Sequence, residues 1–140
     1  MRQPIYLIVA VPGSGKTWVT SQLGDKFEFV HHDLFIGQAG EAYVKSILKR
    51  AEKATKPLLT EAPFSISQTK DPLEAAGYKV IPIFIIESEP VLRDRYFKRE
   101  KKSIPQGHIT RMKTYEQRAH DWKAFKGTSQ EVLEYLKKLP

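Results

Sequence analysis

Apolar residues fall along the chain in two kinds of block. Ile5-Tyr6-Leu7-Ile8-Val9 and Val80-Ile81-Pro82-Ile83-Phe84-Ile85-Ile86 are nearly unbroken apolar runs, the pattern of strands buried on both faces. Elsewhere apolar residues recur every three or four positions, as in an amphipathic helix. The pattern predicts strands at Pro4–Val11, Phe27–His31, Leu58–Thr60 and Val80–Ile86, with a short fifth strand around Trp122–Phe125. It predicts helices at Lys16–Leu23, closed by Gly24, and at Glu41–Lys53, where Tyr43, Ile47 and Leu48 share a face. A third helix is expected at Asp71–Ala76, with Pro72 in its first turn and Gly77 as its stop. A fourth runs from Pro90 into Lys98, a basic loop covers Arg99–Gly107, and a fifth helix runs from His108 past Tyr115. The last, Gln130–Leu139, has Thr128 and Glu131 placed for a capping box. Pro82 has no N–H to give a sheet, which argues for an edge strand or a local bulge.

Strands alternating with helices imply right-handed crossovers and an α/β fold, with a mostly parallel sheet covered on both faces. The 140 residues suit one domain, with a helical lid at about 90–115. There is no internal repeat and no linker. In such a fold the site forms at the carboxyl ends of the strands. Three segments fall there: the loop after the first strand, His31-His32-Asp33 after the second, and Glu61 after the third.

The first of these segments reads Ala10-Val11-Pro12-Gly13-Ser14-Gly15-Lys16-Thr17. A glycine-rich turn between a strand and a helix lets the N–H groups of Gly13, Ser14, Gly15 and Lys16 face one concavity and bind oxyanions. Lys16 can reach β- and γ-phosphates, and the Thr17 hydroxyl can coordinate Mg²⁺. The pattern G-x-x-x-x-G-K-[ST] is met except at its first glycine, where Ala10 stands. Trp18, beside the loop, either fills the core, the commoner fate of a Trp, or stacks on the base of a bound ATP.

The chain has no cysteine, which excludes disulfides, thiolate metal sites and cysteine nucleophiles. No run is long enough to span a membrane and no secretory leader is evident, so a cytoplasmic protein with no membrane partner is expected. Nothing in the sequence points to a protein partner. Net charge is +7, and between Arg93 and Lys126 eleven basic residues face four acidic ones, a surplus of seven. The whole excess therefore lies in one quarter of the chain, as expected of a surface for the phosphates of ATP or nucleic acid.

Asp33 can orient an acceptor hydroxyl and take its proton, the one acid–base task that phosphoryl transfer needs. As an isolated residue it could equally cap a turn. His31 and His32 point to opposite sides of an extended chain, which is poor metal-ligand spacing. One is expected to pack and the other, His32, to line the acceptor site. Glu61 could hold Mg²⁺ or be a solvated turn residue. Arg95 and Arg99 share a helix face and could clamp a triphosphate and stabilise the transferring group. Arg93, Lys98, Lys101 and Lys102 could be ordinary solvated charges. Lys102 and Arg111 are candidate substrate contacts.

Together these residues resemble the polynucleotide-kinase-like branch of the phosphate-loop kinases, which includes the 5′-hydroxyl kinase domain of bacteriophage polynucleotide kinase. V-P-G-S-G-K-T-W is similar to the family's phosphate loop, and H-H-D stands where the family has N-R-D, so Asp33 matches the catalytic carboxylate. L-L-T-E-A-P puts Glu61 at the family's acidic strand end. L-R-D-R-Y-F-K-R-E-K-K-S-I-P, followed by R-M, is similar to the family's lid, with Arg95 and Arg99 at its basic positions. The resemblance implies ATP and Mg²⁺ as cofactors, Lys16, Asp33 and Arg99 as catalytic residues, and a bacterial or phage-infected cell as the setting. Ile36 stands where polynucleotide kinase has a phosphate-binding arginine. The acceptor implied is therefore either a 5′-hydroxyl of DNA or RNA or a hydroxymethyl pyrimidine in DNA. A kinase of free nucleosides, nucleotides or other small metabolites is a second reading. An ATP-binding switch, in which Asp33 would be dispensable, is a third.

Overall fold

The computed structural model describes residues 2–11, 13–30, 40–62 and 66–139. His31, His32, Asp33, Ile36 and Pro63 lie outside them. The order of elements is β1 (Ile5–Val9), α1 (Lys16–Ser21), β2 (Glu28–Val30), α2 (Gly40–Lys53), β3 (Leu58–Glu61), α3 (Ile66–Ala75), β4 (Val80–Ile85), α4 (Glu89–Glu100), α5 (Gln106–Asp121), β5 (Phe125–Gly127) and α6 (Ser129–Lys137). The five strands form one sheet in the order β2-β3-β1-β4-β5. The pairs β1·β3, β2·β3 and β4·β5 are parallel, as the alternating pattern requires.

The chain divides into two compact units. One comprises Met1–Val9 and Asp25–Pro82, the other Ala10–Gly24 and Ile83–Pro140. In the first unit every residue of β1 is buried, and β3 is buried throughout. This is the pattern of a strand with apolar layers on both faces. Ile5 pairs with Leu58 and Ile8 with Glu61, so the carboxyl ends of β1 and β3 lie level. Tyr43 and Ile47 of α2 and Ile66 and Leu73 of α3 are buried in the same unit.

Several boundaries move. Helix α3 begins at Ile66, not Asp71, and Pro72 sits inside it rather than in its first turn. Its buried stripe is Ile66, Thr69 and Leu73, and a threonine in the middle of that stripe hides the helical period. Gly77 stops the helix as expected. With φ +93°, it lets the Tyr78 N–H reach Leu73 O and the Gly77 N–H reach Glu74 O, the paired bonds of a Schellman cap. Glu61 is the last residue of β3 rather than a turn residue beyond it. Pro82 lies in an interior strand, not at an edge. The β4·β5 ladder starts at Ile83↔Phe125, so the missing N–H of Pro82 falls before β5 begins.

In the second unit α4 extends through Glu100, taking in Arg99, and α5 begins at Gln106. The predicted basic loop shrinks to residues 101–105 because a left-handed Lys101 (φ 61°) closes α4 within one residue. Ile104 anchors that loop in a cluster with Val11, Leu92, Tyr96, Ile109 and Met112. Trp122 is the C-cap of α5, outside β5. Helix α6 starts at Ser129 behind the expected capping box, in which Thr128 Oγ1 accepts from the Glu131 N–H and Glu131 accepts from the Thr128 N–H.

Candidate active site

The glycine loop leaves β1 at Ala10 and enters α1 at Lys16. Its first turn is closed by the Ser14 N–H bonding Val11 O at 3.2 Å. Gly13 and Gly15 have φ of +88° and +94°, which L side chains adopt only under strain. A Cβ on Gly15 would stand 2.9 Å from Ser129 Cβ. Both positions therefore favour glycine. Gly15 is the N-cap of α1 and supplies no side chain to its first turn. The leading N–H groups of that turn have no partner within the helix. Ser14 is fully buried and its Oγ has no hydrogen-bond partner. A loop with that donor set, held open by glycine, fits a phosphate chain.

Around the loop the second unit gathers five further side chains. Arg95 Nη1 donates to Ser14 O at 3.3 Å and to Glu87 Oε1 at 3.3 Å. Glu87 Oε1 also accepts from Ser129 N–H and Ser129 Oγ, each at 2.8 Å. Beside this network is a pocket of ≈ 480 Å³ lined by Gly15, Trp18, Arg95, Ser129 and Gln130. Trp18 is 43% exposed, so the core role favoured for it is corrected. It sits on the outer face of a six-residue helix whose inner face is already filled by Val19 and Thr20. An exposed indole and a guanidinium beside an oxyanion cradle are suited to stacking on a planar base.

Sequence reasoning missed Glu87 and Ser129, which are 42 residues apart. The signal was present for Glu87: an acid immediately after an apolar run, where a parallel strand must end.

Lys16 is half-buried at the start of α1, and Thr17 is exposed. Arg99, on the same helix as Arg95, does not join it at the loop. Its Nε donates to Glu100 Oε1 at 3.0 Å, and its guanidinium lies 5.5 Å from the Tyr96 ring centroid. Arg99 and Arg111 both bear on His108, whose pKa is lowered chiefly by burial and then by Arg111 and Arg99. Lys102 and Arg111 are exposed. The charges of α4 are partly matched along the helix, Arg93 with Glu89 and Lys98 with Asp94. The exposed surplus falls on Lys101, Lys102, Arg111, Lys113, Lys123 and Lys126.

In the first unit Glu61 is buried, so the reading of a solvated turn residue is corrected. Its N–H donates to the Tyr43 hydroxyl at 3.0 Å, and its carbonyl lies 3.0 Å from the same oxygen. Among the described residues no group of three His, Asp or Glu side chains could by itself hold a metal ion. No helix among them is long and apolar enough to cross a membrane.

No protein-family model matches the sequence, and comparison with curated proteins finds no match. Solved structures do share the fold. The tunicamycin resistance protein of Deinococcus radiodurans superposes with a TM-score of 0.63 at 16% identity, over 96% of this chain and 94% of its own. Shikimate kinase from Acinetobacter baumannii, solved with shikimate, gives 0.61 at 14%, over 99% and 96%. A gluconokinase from Sinorhizobium meliloti 1021 gives 0.52 at 20%, over 80% and 74%. At these identities the likeness is one of fold, and together with the glycine loop it gives this chain the P-loop kinase fold.

Proposed function

We propose that this chain is an ATP-dependent phosphotransferase whose acceptor is a hydroxyl on nucleic acid. The observation that carries the kinase reading is the glycine-held loop, with Lys16 and Thr17 at its end and the pocket of Trp18, Arg95 and Gln130 beside it. Gly13, Ser14, Gly15 and Lys16 would hold the phosphate chain, and Trp18 and Arg95 the nucleoside end. Thr17 and Glu61 are the candidate Mg²⁺ ligands, and the ion would offset charge on the phosphate oxygens when bound. Asp33 would take the proton of the acceptor hydroxyl as its oxygen bonds to the γ-phosphorus. The bond from that phosphorus to the bridging oxygen breaks, and ADP leaves with the electron pair. Lys16 and Arg99 would stabilise the charge on the group in transit. Residues 90–115 would act as a lid that excludes water.

The nucleic-acid acceptor is supported by the exposed basic surplus beyond α4. It is supported also by the resemblance of the segment from Leu92 through Arg111-Met112 to the polynucleotide-kinase lid. His32, Lys102 and Arg111 would contact that acceptor. A base acceptor would have to leave its stack to be reached. A small-metabolite acceptor is the second reading, favoured by the fold shared with shikimate kinase and gluconokinase.

Transfer of γ-labelled phosphate from ATP tests these readings side by side. Acceptors are 5′-hydroxyl DNA and RNA, DNA with hydroxymethyl pyrimidines, and mixtures of nucleosides and small hydroxylated metabolites. Label in a polymer, lost in Asp33→Asn and falling steeply with salt, supports the nucleic-acid acceptor. Label only in small molecules replaces it with the second reading. ATP bound without transfer to any acceptor favours a nucleotide-driven switch.

A further inference from the structure

We infer that Glu87 is a positioning residue for nucleotide binding: its buried carboxylate fixes Arg95 and the start of α6 in the arrangement that forms the pocket beside the glycine loop. The inference rests on reading that pocket as the nucleotide site.

Glu87 does not line the pocket. It touches two residues that do, Arg95 and Ser129. A third, Gly15, is hemmed in by both: a Cβ on it would stand 2.9 Å from Ser129 Cβ and 3.4 Å from Arg95 Nη1. The carboxylate side chain is only 6% exposed, whereas the Arg95 side chain is 42% exposed. The buried anion is thus the fixed member of the pair and the arginine the member that faces outward. A buried carboxylate persists only when paired and hydrogen-bonded, and here three donors from two separate helices converge on one oxygen. Two of them belong to the first residue of α6, where the helix dipole adds to the attraction.

Arg95 spends one nitrogen on this contact. Nη1 is shared between Glu87 and the Ser14 carbonyl of the loop. The guanidinium is planar and has five donors, so the groups not held by that shared nitrogen are presented to the pocket at a fixed tilt. Without the carboxylate, Arg95 would retain only a 3.3 Å bond to a loop carbonyl, and it would have to be ordered when the nucleotide binds. Preorganisation of this kind shows in affinity.

The test is a double-mutant cycle on ATP affinity, by titration calorimetry, with wild type, Glu87→Gln, Arg95→Ala and the double variant. Circular dichroism confirms that each is folded at the working temperature. We expect Glu87→Gln to weaken ATP binding about tenfold in the wild-type background and less than about twofold in the Arg95→Ala background. Equal losses in both backgrounds overturn the inference, because a merely structural role would not depend on Arg95. Should Glu87→Gln not fold, Glu87→Asp keeps the charge but shortens the reach, and the same cycle applies. An Asp variant that binds ATP as wild type does, or loses equally with and without Arg95, overturns the inference. A wild-type chain that binds no ATP overturns the nucleotide reading itself, whereas a Glu87 variant with wild-type affinity overturns only the role of Glu87.

Discussion

Each unit of this protein has a buried polar hub, and the two are built from opposite materials. In the first unit the hub is neutral. The Tyr43 hydroxyl, on a residue 1% exposed, meets the Thr60 hydroxyl, Val30 O at 3.3 Å, and the N–H and carbonyl of Glu61. It joins α2 to the carboxyl ends of β2 and β3. In the second unit the hub is an anion, Glu87, which joins the end of β4 to α4 and α6. A neutral hub satisfies backbone groups and asks for no counter-charge. An anionic hub needs a cation, and its cation is half in solvent. The first arrangement holds strand ends together. The second also leaves an arginine oriented outward. Burying a charge is worthwhile here only if the arginine has something to bind, since surface-facing ion pairs add little stability.

The largest effect we expect is on turnover. Lys16→Ala should lower phosphoryl transfer by at least about 10²-fold while circular dichroism and the thermal midpoint stay near those of wild type. Lys16 is the loop's cation, half-buried at the start of α1. A variant that loses its folded signal would move Lys16 from the site to the scaffold.

The hubs themselves should separate next. Tyr43→Phe removes the hydroxyl and leaves buried backbone groups unsatisfied, which costs about 1–3 kcal/mol. Urea unfolding should register that loss, and ATP affinity should not move. Gly15→Ala should cost a similar ~1–3 kcal/mol from its positive φ, and the contact with Ser129 Cβ should add to it. It should also weaken ATP binding, because the residue belongs to the loop and to the pocket wall. If Tyr43→Phe changed ATP affinity as much as Gly15→Ala does, the contrast between a structural hub and a site hub would fail. Smaller again is Arg99→Ala. We expect it to lower kcat more than it raises the KM for ATP, since Arg99 does not join Arg95 at the loop. Equal changes would make it a ground-state binder.

What the sequence disclosed follows from how local each signal is. The glycine loop, the capping box of α6 and the stop at Gly77 are settled by a few adjacent residues, and all three are found where expected. The strands of β1 and β4 are legible because burial on both faces leaves an unbroken apolar run. Helix α3 was half missed because Thr69 occupies a core position, and a polar residue there interrupts the period without interrupting the packing. Pro82 misled because its cost depends on where β5 begins, which is a fact about another segment. Glu87 and Ser129 were not legible as a pair for the same reason: each is unremarkable beside its own neighbours, and their bond spans 42 residues. For Trp18 the habits of the residue type favour the core over base stacking, but α1 is too short to bury both of its faces.

The smallest effect concerns pH and belongs wholly to the second unit. His108 is edge-on to the Tyr96 ring, its Nδ1 is buried without a partner, and its pKa lies below the ordinary 6.5. Burial is the first cause, and the positive charges of Arg111 and Arg99 add to it. The folded state therefore prefers the neutral ring, while the unfolded chain takes up a proton near 6.5. The unfolded state binds more protons in that interval, so stability rises with pH through it. The contribution is complete above 6.5 and is lost as pH falls through the lower folded-state value. We expect urea midpoints measured from pH 7.5 down to pH 5 to fall by a modest amount, and His108→Gln to remove part of that slope. Tyr43→Phe should leave the slope intact, because its hub carries no titrating group in this range. A slope unchanged in His108→Gln would assign the acid sensitivity to other residues.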